Sequence, residues 1–70
     1  MDILYSITQV KEQDGIYEIH PCNNDIVSGI IKSENGTLTD KETGEVYTEE
    51  DIWDIQSFEE EHSVYYKRLI

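Results

Sequence analysis

Seventy residues with sixteen acidic and five basic side chains, a net charge of −11, make one small acidic domain whose thin core excludes a deep catalytic cleft. A single cysteine, Cys22, excludes an internal disulfide and fits a reducing compartment. The opening Met1-Asp2-Ile3-Leu4-Tyr5-Ser6 has neither the basic segment nor the apolar run of a secretion signal, no stretch approaches the roughly 20 apolar residues of a membrane span, and the charge argues against anionic lipid and against direct nucleic acid.

The composition places the chain near the border of disorder. Ten Ile, four Val and five Tyr against three Leu and no Ala favour a folded, half-buried pleated surface. From Ile3 to Lys11, Ile3, Tyr5 and Ile7 alternate with Leu4, Ser6 and Thr8, which predicts a first strand. Asp14-Gly15 predicts a hairpin turn and Ile16–His20 the returning strand. Pro21 ends the ladder, and Asn23-Asn24-Asp25 extends the break into a loop. Ile26–Lys32 reads as a third strand with a candidate bulge at Gly29. Ser33-Glu34-Asn35-Gly36 is a second hairpin signal, returning Thr37-Leu38-Thr39. Asp40 to Gly44 makes another turn before a strand at Glu45-Val46-Tyr47.

Thr48 followed by Glu49, Glu50 and Asp51 is a helix start, with a polar cap and acidic residues complementing the dipole. Ile52, Trp53 and Ile55 supply about two turns of apolar face, so the helix is expected over Thr48–Ile55. Ser57–Ile70 is ambiguous: Phe58-Glu59-Glu60-Glu61 suits a second helix, whereas Val64-Tyr65-Tyr66 favours a strand, and the strand is preferred. The expected fold is mainly β within the α+β class, a small antiparallel meander sheet with one short helix.

Catalytic and metal chemistry find little support. His20-Pro21-Cys22 places a thiol beside an imidazole with no oxyanion stabiliser nearby, so a buried Cys next to a strand-ending Pro explains it more simply. His20, Cys22 and His62 lack metal-ligand spacing. Counted as a calcium loop from Asp40, the sixth position is Glu45 and the twelfth Asp51, where Gly and Glu are required. A carboxylate pair for glycoside hydrolysis has no enclosed site to work in, and no phosphate-cradling Gly-rich loop is present. The expectation is no enzyme, no metal and no cofactor.

The charge itself is the remaining signal. Asp40 to Glu61 holds ten acidic residues and one lysine, a net of −9. Tyr47, Ile52, Trp53 and Phe58 interrupt the block and suit either anchoring roles on a structured surface or core positions. Solubility alone is the plainer account of so many charges, and a small adaptor or structural module is the corresponding alternative. The other account is a basic partner, and most strongly basic surfaces bind nucleic acid. Duplex DNA carries one charge per about 1.7 Å, so 11 charges match about 19 Å of axis. Two copies, a homodimer, match about 37 Å, close to one helical turn of about 34–36 Å. The candidate partner-binding residues are Glu42, Glu45, Glu49, Glu50, Asp51, Asp54, Glu59, Glu60 and Glu61.

In length, lone Cys22, β-rich pattern and the acidic block from Asp40 to Glu61, the chain resembles the small acidic bacteriophage host-takeover proteins of the DNA-mimic type, in particular phage inhibitors of the bacterial nucleoid protein HU. The resemblance spans the chain and rests on size and composition, so it transfers no individual residue. It implies action in the host bacterial cytoplasm at the nucleoid, by occupation of HU's basic DNA-binding surface. A restriction, repair, transcription or CRISPR protein is the alternative target.

Overall fold

The computed structural model describes residues 3–21 and 26–70. The elements run β1 (Ile3–Leu4), α1 (Ile7–Glu12), β2 (Gly15–His20), β3 (Gly29–Glu34), β4 (Thr37–Asp40), α2 (Glu49–Glu61) and β5 (Tyr65–Arg68). Every strand pairing is antiparallel, in the spatial order β1-β5-β2-β3-β4. The fold class is therefore the expected mainly β, α+β arrangement. The meander holds only for β2, β3 and β4, because β5 from the end of the chain enters between β1 and β2.

The expected first strand is interrupted after Leu4. Ser6 adopts extended backbone and its side chain accepts from the Gln9 N–H at 3.2 Å, capping α1. The Gln9 side chain reaches back to the Tyr5 N–H at 3.1 Å. Ser6-Ile7-Thr8-Gln9 is thus a helix-start pattern, and it overrides the alternation Ile3-Tyr5-Ile7 because Ile7 and Val10, one helical turn apart, are both fully buried. Asp14-Gly15 consequently closes no hairpin between neighbouring strands. Gly15 is instead pressed against the C-terminal segment: a Cβ there would lie 2.7 Å from the Ile70 carbonyl oxygen, which accepts from the Ile16 N–H at 3.3 Å.

Residues 26–28 precede β3, which begins at Gly29. Its register against β2 is unbroken from Ile19↔Gly29 to Gly15↔Ser33, so no bulge forms at Gly29. The expected loop at Asn23-Asn24-Asp25 lies outside the described residues. Asn35-Gly36 makes the two-residue hairpin turn with both φ positive, 52° and 81°, directly beyond the Glu34↔Thr37 pair. The expected strand at Glu45–Tyr47 contracts to one bridge, Thr39↔Val46.

Paired residues on adjacent antiparallel strands point to the same side. Leu4, Tyr17, Ile31, Leu38 and Tyr66 therefore share one face of the sheet, and with Ile7, Val10 and Val64 they form the buried core. Ile52 and Ile55 of α2 pack against that cluster. Both helices thus cover the same face. The other face carries Glu18, Lys32, Tyr65 and Lys67, with His20 stacked on Tyr65 at a ring separation of 4.5 Å and 3.1 Å from Glu18.

α2 extends well past the expected two turns, to 13 residues. Its continuation through Phe58–Glu61 corrects the preference for a strand across that stretch, and the strand is confined to Tyr65–Arg68. The reason is visible in the spacing Ile52, Ile55, Glu59, which keeps one edge of the helix against the core for about one turn beyond Ile55. No helix among the described residues is long and apolar enough to cross a membrane.

Candidate partner-binding surface

Thr48 starts α2 through a capping box. Its hydroxyl accepts from the Asp51 N–H at 3.1 Å, and the Asp51 carboxylate accepts from the Thr48 N–H at 2.9 Å. Glu49, Glu50 and Asp51 then lie at the positive end of the helix dipole. These three acids have a sufficient structural reason to be where they are.

Glu59 has a different one. It turns inward, where its Oε2 accepts from the Ile7 N–H at 2.8 Å and from the Tyr66 hydroxyl. One carboxylate therefore ties α2 to the first turn of α1 and to β5. Burial, with the hydrogen bond and charge of Glu59 second, pushes the Tyr66 hydroxyl pKa far above its ordinary value. Gln56 adds a further link, its side-chain amide donating to the Thr8 hydroxyl at 3.2 Å.

At about 100° per residue, Glu50, Asp54 and Glu61 fall within about 40° of one another, on the side of α2 opposite Ile52, Ile55 and Glu59. Glu49 and Glu60 flank this row on one side and Asp51 on the other, and all six are exposed. Thirteen residues at about 1.5 Å each make a helix about 20 Å long. Six carboxylates over that length average one per about 3.3 Å, beside about 3.4 Å per phosphate along one DNA strand. They are grouped at the two ends rather than evenly spaced.

This row is not neutralised from within. Among the described residues, the Lys32–Glu34 ion pair and the His20–Glu18 contact both lie on the sheet. Glu60 and Glu61 sit in the last turn, where no basic residue is present and where negative charge opposes the dipole by about 0.3–1 kcal/mol each. Helix stability gives no reason for them.

Glu45, Asp51 and Asp54 are brought together with Asp40 along an open cleft of about 380 Å³ between the Asp40–Gly44 turn and α2. Asp40 shapes the turn by accepting from the Glu42 and Thr43 N–H groups at 2.8 and 3.3 Å. Tyr47 lines the cleft, and burial, followed by the charges of Asp40 and Asp51, raises its hydroxyl pKa. Glu42 is exposed on the same turn but does not line the cleft. Of the nine expected binding residues, Glu59 is thus committed to the interior, Glu42 stands apart, and the other seven share the α2 side of the molecule. Asp40 was not among the expected residues; its signal is the turn-forming Asp40-x-x-Thr43-Gly44.

Tyr47 and Ile52 pack against the core. Trp53 is 66% exposed and Phe58 41% exposed, with Phe58 against His62 at 4.4 Å. Phe58 and Ile55 also line an apolar groove on the side of α2 away from α1, which no periodicity in the chain announces. Among the described residues no group of three or more His, Cys, Asp or Glu is placed to hold a metal ion; Cys22 lies outside them. Comparison with protein-family models, curated proteins and solved structures finds no match for this chain.

Proposed function

We propose that this protein is a stoichiometric, non-enzymatic inhibitor that mimics DNA, laying the exposed face of α2 on the basic DNA-binding surface of a partner and displacing DNA from it. The observation that carries the reading is Asp54, Glu60 and Glu61 in the outer row. These residues lie outside the first turn that the cap and dipole favour, no ion pair among the described residues satisfies them, and two of them oppose the dipole of the helix they stand on. Charge retained at a stability cost points to an electrostatic partner. HU is the leading target on the resemblance in size and composition. One copy offers about 20 Å of such charge, so two copies, as a homodimer or side by side, are needed to replace one turn of DNA.

The test is displacement of duplex DNA from HU, followed by gel shift at low and moderate salt. The wild-type protein is expected to release DNA, with a potency that falls as salt rises. The variant Asp54→Asn, Glu60→Gln, Glu61→Gln removes three charges from positions outside the capped first turn. It is expected to stay folded, with a helix at least as stable, while losing much of its potency through several small contributions of up to about 1 kcal/mol each. An unchanged HU–DNA band with wild-type protein removes HU as the target. A folded triple variant of full potency removes the α2 row from the interface.

A further inference from the structure

The apolar groove beside α2 holds about 420 Å³ and runs between Asp54, Ile55 and Phe58 on the helix and Ile19, Ser28 and Val64 on the sheet side. Its walls are almost wholly apolar, yet Asp54 and Ile55 also line the carboxylate cleft of about 380 Å³ on the neighbouring side. One ridge of α2 therefore separates a socket suited to a hydrocarbon side chain from a socket suited to a lysine or arginine. A surface that copied phosphates alone has no use for the first socket, and a surface built for hydrophobic adhesion has no use for the second.

The charge decides between occupants. A second copy of this chain seated in the groove brings its own Asp54 and its own acidic row against these, with a net charge of −11 on each chain, and like charges meeting across an interface cost several kcal/mol. A partner that carries an apolar side chain flanked by basic ones matches both sockets together. Architectural proteins of the DNA minor groove carry this combination: they hold the duplex with Arg and Lys while pushing an apolar wedge, such as Pro, Ile, Leu, Met or Phe, between two base steps.

We infer that the groove stands in for the opened base step, receiving the apolar wedge of a minor-groove architectural protein while Asp51 and Asp54 receive its flanking basic residues. This rests on the DNA-mimic reading and narrows the partner to wedge-bearing proteins. The wedge anchors the complex and the carboxylates orient it. Because hydrocarbon burial is insensitive to ionic screening, part of the affinity survives added salt that removes the purely electrostatic part.

The test is a double-mutant cycle on the affinity between this protein and fluorescently labelled HU, read by anisotropy at fixed salt. Ser28→Trp plugs the groove; its backbone N–H keeps its bond to the Ile19 carbonyl at 2.9 Å, and circular dichroism checks the fold. If that variant does not fold, Phe58→Ser, which strips one wall at a 41% exposed position, takes its place. The plug and the truncation of the HU wedge to Ala are each expected to weaken binding roughly 10-fold or more. Together they are expected to weaken it little further, because both remove the same contact. Additive losses, or a silent plug in a protein that still displaces DNA from HU, overturn the groove assignment and leave mimicry standing. A wild-type protein that neither binds HU nor displaces its DNA overturns the groove assignment and removes HU as the target.

Discussion

Two adjacent glutamates, Glu59 and Glu60, should respond to the same substitution with opposite signs. Glu59→Ala leaves the Tyr66 hydroxyl, on a side chain with no exposure, without the acceptor it has in the native fold, and such a buried group costs about 1–3 kcal/mol. It also removes the charged acceptor of the Ile7 N–H, a partly accessible bond whose loss adds about 1 kcal/mol. The sum, about 2–4 kcal/mol, is a large share of the roughly 3.5–10 kcal/mol expected for 70 residues. With a urea slope of about 1 kcal/mol per molar, the midpoint should fall by about 2–4 M, followed by far-ultraviolet circular dichroism. Glu59→Gln keeps an acceptor but loses the charge, and Tyr66→Phe removes the donor while Glu59 keeps Ile7, so each should cost about 1 kcal/mol. Glu60→Ala, in the last helical turn, should leave stability unchanged or raise it by a few tenths of a kcal/mol. The reasoning is refuted if Glu59→Ala and Glu60→Ala unfold at the same urea concentration.

The tyrosines make a second prediction, for alkaline pH. Tyr17, Tyr47 and Tyr66 all have raised hydroxyl pKa values, with burial the largest cause at each, whereas an unfolded tyrosine ionises near 10. Above that pH the unfolded chain binds fewer protons than the folded one, so the stability present in full below pH ~10 is lost progressively as pH rises beyond it. Tyrosinate absorbance and circular dichroism should change together, and a Tyr66→Phe variant with the same pH profile of stability would argue against the assignment. Thr48→Ala should cost about 1 kcal/mol by removing one side of the capping box. A urea midpoint equal to wild type would show that the Asp51 side of the box holds the helix start alone.

How much of this was legible in the chain depended on how far apart the cooperating residues lie. The −11 charge, the preference for strands, the Asn35-Gly36 hairpin and the Thr48 cap are properties of composition or of four consecutive residues, where backbone sterics and a single side-chain hydrogen bond decide the outcome. The same local chemistry at Ser6-Ile7-Thr8-Gln9 competed with an equally local alternation, and only burial of both Ile7 and Val10 resolved it in favour of a helix. Glu59 and Glu60 are indistinguishable in composition. Which of them turns inward was decided by the placement of Tyr66 and the start of α1 on either side of the helix edge. The apolar groove likewise exists only where α2 passes over Ile19 and Val64. Most of all, β1 pairs with β5, Ile3 against Lys67, and no pattern within either segment specifies that meeting. Such pairing follows from the closure of the whole chain around one apolar core, which only the tertiary structure decides.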